Sequence, residues 1–271
     1  MKKIRVGIVG CGAIGTSLAK AVARDFSKGA RLSALYDINL KKTKDLSRVL
    51  ARNIAVSKLS QLISKSDLVI EAASAKVSAD IAYAALNSRR DVMVMSVGGL
   101  VGKIDKIKSL AVKMGRKVYI PSGAISGIDA VKAARMGRIK KATLTTTKNP
   151  LAFKGVKYVE DKFGSLRNIK KPLVLFSGPA LKAVKYFPQN INVAAVLSLA
   201  GVGAAKTIVK IIASPKVKKN IHEINIIAEA GDIFTRTENI LHPDNPKTSF
   251  LAVLSAKAVL NQILEPVKIG T

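Results

Sequence analysis

Short apolar runs alternate with stretches of helical periodicity along the first 120 residues. The apolar runs predict strands at 4–9, 31–36, 67–72, 91–95 and 117–120. The stretches around them predict helices at about 14–26, 40–51, 58–64, 76–88 and 103–113. Regular alternation of strand and helix predicts a doubly wound parallel sheet, the Rossmann type of α/β fold.

The pattern changes after a Gly- and Ser-rich turn cluster at 121–127. Beyond it we predict helices at 128–136, within the apolar stretch 191–205, and at 249–264. Strands are predicted at 142–147 and 174–177, with a hairpin of 224–228 and 233–236 around Gly231. This mixture predicts a second α+β domain built on a mixed sheet. The final helix is expected to return to the first domain.

The first strand runs directly into a glycine motif, G-x-G-x-x-G, at residues 10–15. In a dinucleotide-binding unit the first glycine makes the tight turn, the second admits the pyrophosphate and the third packs helix on strand. The pyrophosphate then lies at a helix N-terminus, where free N–H groups favour an anion. The residues predicted to bind the cofactor here are Gly10, Gly12, Ala13, Ile14 and Gly15.

Asp37 closes the second predicted strand at the distance expected of a ribose-binding acid. Its carboxylate would repel a 2′-phosphate, which favours NAD over NADP. Lys41 and Lys42 follow closely and partly offset that repulsion, so NADP remains a possible second cofactor. The alternative is a glycine-rich turn in some other α/β protein.

Composition narrows the class of protein further. With 271 residues, 48% hydrophobic and 23% charged, the chain is typical of a folded globular protein. The apolar stretch 191–205 is too short to span a bilayer, and residue 4 already begins a strand, so we expect neither membrane segment nor signal peptide. Cys11 is the only cysteine, which excludes an intrachain disulfide and fits a reducing cytoplasm.

The net charge of +29 attracts polyanions non-specifically. The basic residues are spread along the chain, there is no Trp, and aromatics make up 4%. Stacking platforms for nucleic acid are therefore scarce, and we expect no specific nucleic-acid partner.

Only two histidines, His222 and His242, are present as side chains that titrate near neutral pH. His222 lies at the start of a predicted strand and His242 in a predicted loop. Taken alone, each is more often a structural or surface residue than a catalytic one. Two histidines without a cysteine cluster do not form a zinc site, so no metal is expected.

Motifs beyond the glycine loop resemble those of the L-aspartate dehydrogenase family, which uses NAD(P). They follow the family's order along the chain: Pro121-Ser122-Gly123-Ala124-Ile125, Phe187-Pro188-Gln189-Asn190-Ile191-Asn192-Val193-Ala194-Ala195, Asn220-Ile221-His222-Glu223-Ile224 and Asn245-Pro246-Lys247-Thr248-Ser249. The resemblance implies oxidation of L-aspartate to iminoaspartate and a role in NAD biosynthesis. It implies that His222 is catalytic and that Ala124 and Asn192 contact the nicotinamide cofactor.

The resemblance also implies a homodimer formed through the second domain. The predicted domains are a dinucleotide-binding domain at 1–124, completed by 246–271, and a catalytic and dimerisation domain at 125–245. We expect the glycine loop and His222 to meet across one cleft.

Two roles stay open within this hypothesis. A neutral His222 could accept the amine proton or activate the water that hydrolyses the imine. Lys247, Thr248 and Ser249, predicted at the start of the last helix, could bind a substrate carboxylate, although Thr248 or Ser249 could equally be an ordinary helix cap.

Two alternative functions remain. One is another two-domain oxidoreductase, such as a homoserine or sugar dehydrogenase, with a lysine-centred site near Lys76. The other is a nucleotide sensor without catalysis. His222 together with Asn192 separates these alternatives, since a sensor would not need them.

Overall fold

A computed structural model describes residues 3–187, 191–243 and 245–270. The chain divides into two compact units. The first consists of Met1–Pro121 with Val253–Ile269, and the second of Ser122–Ala252 with Gly270–Thr271.

The first unit contains a five-stranded parallel sheet in the order β2-β1-β3-β4-β5. Its strands are β1 Ile4–Val9, β2 Ala30–Tyr36, β3 Leu68–Glu71, β4 Asp91–Val94 and β5 Val118–Tyr119. Its helices are α1 Ala13–Ala23, α2 Leu40–Val49, α3 Leu59–Ser64, α4 Ser78–Asn87 and α5 Ile104–Met114, with a 3-10 helix at Val97–Leu100. The predicted parallel α/β sheet is confirmed.

The strand order places a topological switch point between β1 and β3, since β2 lies on the other side of β1. Ligands of open α/β sheets bind at such a point, outside the carboxyl ends of the strands. The glycine loop follows β1, so it lies at this edge.

The last helix, α10 Phe250–Leu264, supplies apolar side chains to the core of the first unit. Val253, Ala256 and Leu260 are buried in the same cluster as Val6 and Ile8 of β1. The first unit is therefore built from two separate stretches of sequence.

The second unit contains a mixed five-stranded sheet in the order β10-β9-β6-β8-β7. Its strands are β6 Ile139–Lys148, β7 Leu173–Pro179, β8 Ile208–Ala213, β9 Asn220–Ala228 and β10 Gly231–Asn239. Its helices are α6 Ile128–Ala134, α7 Lys157–Phe163, α8 Ala180–Tyr186 and α9 Asn192–Ala200, with a 3-10 helix at Pro150–Phe153. Only β6 and β8 pair in parallel. The predicted mixed sheet is confirmed.

Three predicted positions differ from the structure. The helix expected within 191–205 ends at Ala200, and the chain then enters β8, which the sequence analysis missed. His242, predicted in a loop, lies in β11 Leu241–His242. Lys247, Thr248 and Ser249, predicted to start the last helix, lie in β12 Asn245–Ser249, because β12 pairs with β11 before α10 begins at Phe250.

Candidate functional site

The glycine loop has the backbone that a bound dinucleotide requires. Gly10 has φ +96°, a conformation that side chains rarely adopt, and a Cβ there would strike the Ala72 carbonyl at the end of β3. A Cβ on Gly15 would clash with the carbonyl oxygen of Gly10, so this glycine permits close packing of α1 against the glycine loop. A Cβ on Gly12 would meet nothing within 4 Å, which leaves open space beside the loop.

Helix α1 begins directly after this open space. Gly12 is its N-cap residue and offers no side-chain hydrogen bond to the first helical N–H groups, those around Ala13 and Ile14. Uncapped N–H groups and the helix dipole form a site for an anion. The open cradle and the uncapped helix fit the pyrophosphate of a dinucleotide.

Asp37 lies beside the loop at the end of β2. Its Oδ2 accepts a hydrogen bond of 2.7 Å from Cys11 N, and its Oδ1 accepts one of 2.8 Å from Asn39 N. The loop and the acid are thus held together, as a ribose-binding carboxylate requires. Burial raises the pKa of the Cys11 thiol to about 11, which leaves it unreactive at neutral pH.

Glu71, a residue to which the sequence analysis gave no role, joins the ends of β3 and β4. Its carboxylate is fully buried and accepts hydrogen bonds from Ala73 N at 2.8 Å, Ser96 N at 2.9 Å and Ser96 Oγ at 2.8 Å. Burial raises the pKa of Glu71, and these hydrogen bonds oppose that rise. The carboxylate fixes the two small-residue loops next to the glycine loop.

His222 lies on the inner face of the second sheet, where only 3% of its surface is exposed. The register places it between Thr237 of β10 and Thr146 of β6. Its Nδ1 lies 3.0 Å from Thr146 Oγ1. This hydrogen bond engages one ring nitrogen and fixes the orientation of the imidazole.

The ionisation of His222 is set by its surroundings. Burial, together with the positive charge of Lys148, lowers its pKa to about 3, so the imidazole is neutral at physiological pH. Lys148 lies two residues beyond Thr146 on the same face and is itself buried, which lowers its own pKa to about 8. The sequence analysis missed both Thr146 and Lys148. The position of Lys148 could have been read from the sequence. Ala142, Leu144, Thr146 and Lys148 alternate along the strand, so their side chains lie on the same, inward face.

Ala124 is hydrogen-bonded to the part of the second unit that contains His222. Its carbonyl accepts a hydrogen bond of 2.9 Å from Asn239 Nδ2, and Asn239 ends β10 opposite Asn220 of β9. Ser126 Oγ lies 3.0 Å from Thr237 Oγ1, so this turn lies over the row that contains His222.

The other predicted residues lie on different elements. Asn192 is exposed and begins α9. Thr248 and Ser249 end β12, and the side chain of Lys247 lies outside the described part of the chain. His242 is buried and its ring meets Phe250 edge-to-face, with centroids 5.7 Å apart.

Metal-binding clusters and membrane-spanning helices are both absent from residues 3–187, 191–243 and 245–270. No group of three or more His, Cys, Asp or Glu residues there could hold a metal ion. None of the helices in these ranges is long and apolar enough to cross a membrane.

Two family models match the chain. Residues 10–121 match the NAD-binding domain of homoserine dehydrogenase, and residues 129–263 match the C-terminal domain of aspartate dehydrogenase.

Curated relatives extend the likeness over the whole length. The chain is 42% identical to L-aspartate dehydrogenase from Methanocella arvoryzae, with 98% of this chain and 99% of the relative covered. It is 43% identical to L-aspartate dehydrogenase from Methanosarcina barkeri, with 99% and 100% covered.

Solved structures agree on the fold. Aspartate dehydrogenase from Thermotoga maritima superposes with a TM-score of 0.75 at 23% identity, over 99% of this chain and 100% of the other. A homoserine dehydrogenase from Thiobacillus denitrificans gives 0.63 at 13% identity, over 97% and 74%.

Proposed function

Because the chain belongs to the L-aspartate dehydrogenase family, we propose that it oxidises L-aspartate to iminoaspartate and transfers the hydride to a nicotinamide dinucleotide. Iminoaspartate then hydrolyses to oxaloacetate and ammonia or serves NAD biosynthesis. The observation that carries the proposal within the structure is the neutral, buried His222 held by Thr146.

The first unit binds the cofactor in this proposal. The helix N-terminus after Gly12 receives the pyrophosphate, and Asp37 accepts hydrogen bonds from the adenosine ribose. When bound, the nicotinamide supplies the acceptor for the hydride of the substrate Cα. Ala124 and Asn192 are the proposed contacts at the nicotinamide end.

His222 is the proposed proton acceptor, and it lies in the second unit. If Thr146 Oγ1 accepts from Nδ1–H, the lone pair of Nε2 takes a proton from the substrate amino group as the C=N bond forms. The same lone pair can later activate the water that hydrolyses the imine. A dicarboxylate substrate brings negative charge, which raises the pKa of His222 back toward its ordinary value.

NAD is the proposed preferred cofactor, with NADP as a second one. Asp37 supports this preference, since its carboxylate disfavours a 2′-phosphate. We further propose that the protein is a homodimer and works in the reducing cytoplasm, where Cys11 stays a thiol. The proposal of a dimer is based on the resemblance to the family. Exposed apolar side chains on the outer face of the second sheet support it, since Phe234 is 63% exposed and Ile227 is 36% exposed.

The deciding experiment follows reduced cofactor in a mixture of L-aspartate, NAD and the protein at alkaline pH. We expect aspartate-dependent reduction of NAD, with a lower kcat/KM when NADP replaces it. The variant His222→Ala should lose roughly two to four orders of magnitude in kcat, the usual contribution of a positioned acid or base. His242→Ala is the matched control, because His242 has no proposed catalytic role.

The possible outcomes separate three claims. A wild-type protein without aspartate-dependent reduction would contradict the activity. Normal turnover by His222→Ala would contradict only the role of that residue. An NADP efficiency equal to or above that of NAD would overturn the cofactor preference.

A further inference from the structure

The inner face of the second sheet carries a further row of buried polar side chains beside His222, formed by Lys148, Asn220 and Asn239. Asn239 lies opposite Asn220 in the row next to His222. The pairing of β6 with β9 reaches Thr147 and Ile221, so the next residue, Lys148, lies on the other side of Asn220. With strands about 4.8 Å apart, the backbones of Lys148 and Asn239 are roughly 10 Å apart.

Asn239 has an acceptor that the protein does not use. Its Nδ2 donates to the Ala124 carbonyl, whereas its Oδ1 is buried and has no hydrogen-bond partner among the described residues. Asn239 as a whole is 2% exposed. A buried acceptor without a donor is costly and rare, so it calls for a donor from outside the chain.

Lys148 places a positive charge in the same region. The residue is 7% exposed, and burial is the cause of its lowered pKa. At about 8 that pKa still leaves most of the ammonium groups charged at pH 7. A buried cation attracts an anion more strongly than an exposed one does, because little solvent screens the charge. The family's substrate carries two carboxylates and one amino group.

We propose that Lys148 binds a carboxylate of the amino-acid substrate and that Asn239 Oδ1 accepts a hydrogen bond from its amino group. This inference rests on the proposed function. The two contacts hold the substrate at opposite ends, with its Cα and amino group near the row of His222. The Lys148 contact selects an acidic amino acid because it takes the side-chain carboxylate, which a neutral amino acid lacks, and the Asn239 contact requires the amine.

The first test is Lys148→Met in the aspartate assay. We expect the KM for aspartate to rise on the order of 100-fold, as when one partner of a buried charge pair is removed, while the KM for NAD stays within about twofold of wild type. Lys141→Met is the matched control, because Lys141 lies on the same strand but is exposed.

The second test uses succinate, which has both carboxylates of aspartate but no amino group. Its inhibition constant against aspartate should rise on the order of 100-fold in Lys148→Met. In Asn239→Ala, the KM for aspartate should rise about tenfold, the loss of one buried hydrogen bond. Succinate inhibition of this second variant should be unchanged.

Each result bears on a separate claim. Unchanged aspartate KM and succinate inhibition in Lys148→Met, in a wild-type protein that oxidises aspartate, would overturn the role of Lys148. Equal weakening of succinate and aspartate in Asn239→Ala would overturn the amine contact. Absence of aspartate oxidation by the wild type would instead contradict the proposed function.

Discussion

His222 and Lys148 show how burial sets the protonation of two neighbouring side chains. In water an imidazole is half protonated near pH 6.5 and a lysine stays charged to about pH 10. On the inner face of this sheet the pKa of His222 falls to about 3 and that of Lys148 to about 8. At neutral pH the pair therefore combines a neutral imidazole with a charged ammonium group.

The lowered pKa of His222 predicts a loss of stability in acid. Between pH 6.5 and 3 the unfolded chain binds a proton that the folded chain does not, so the free energy of unfolding falls as the pH falls through this window. The slope from this residue is at most about 1.4 kcal/mol per pH unit. Urea unfolding at pH 7 and pH 5 measures it, and His222→Asn should lose less stability than wild type between those values. An identical loss in both proteins would contradict the buried, neutral state of His222.

At the scale of elements, the carboxyl ends of the parallel strands β3 and β4 are connected by hydrogen bonds to one side chain, that of Glu71. Glu71 links β3 and β4 through the Ala73 and Ser96 backbone, and a Cβ at Gly10 of the neighbouring loop would strike Ala72. The position of the cofactor edge therefore depends on a buried carboxylate that has no proposed contact with the cofactor itself.

The variant Glu71→Gln tests this positioning role. The amide would bring an N–H group against one of the N–H donors of Ala73 or Ser96, so we expect a loss of about 1–3 kcal/mol in the free energy of unfolding. We also expect a higher KM for NAD with little change in kcat, because the loops shift while His222 does not. Denaturant titration and steady-state kinetics measure both effects, and Glu265→Gln, an exposed carboxylate, is the control. A loss of stability at unchanged KM for NAD would leave Glu71 a purely structural residue.

The elements of the first unit could be predicted within a few residues, because strands buried on both faces are continuous apolar runs. The same approach did not separate the two elements within residues 191–213. Both α9 and β8 are apolar, and only a short polar segment lies between them. The glycine loop and Asp37 could be found by spacing. The inward position of Lys148 follows from the alternation along β6. The contacts of Thr146, Lys148 and Asn239 could not be predicted, because they depend on the register of β6, β9 and β10, which one strand's pattern does not determine.

At the scale of the whole molecule, we predict that the protein associates through the outer face of the second sheet. Gel filtration with light scattering should give about twice the chain mass of 28.8 kDa. Phe234→Asp should shift the mass toward one chain, because a charge at an apolar interface is costly, whereas Val49→Asp, an equally exposed apolar position in the first unit, should not. A single-chain mass for the wild type would contradict the dimer.

The return of α10 to the first unit also has a consequence for synthesis on the ribosome. Residues that complete the second unit, up to Ala252, leave the ribosome before Val253, Ala256 and Leu260, which belong to the core around β1. We therefore expect the unit whose synthesis begins first to complete its core last, although proteins usually fold from the N-terminal domain onward. Until α10 packs against the sheet, part of the apolar surface around β1 stays uncovered, so we expect the glycine loop to become fully ordered only with that packing.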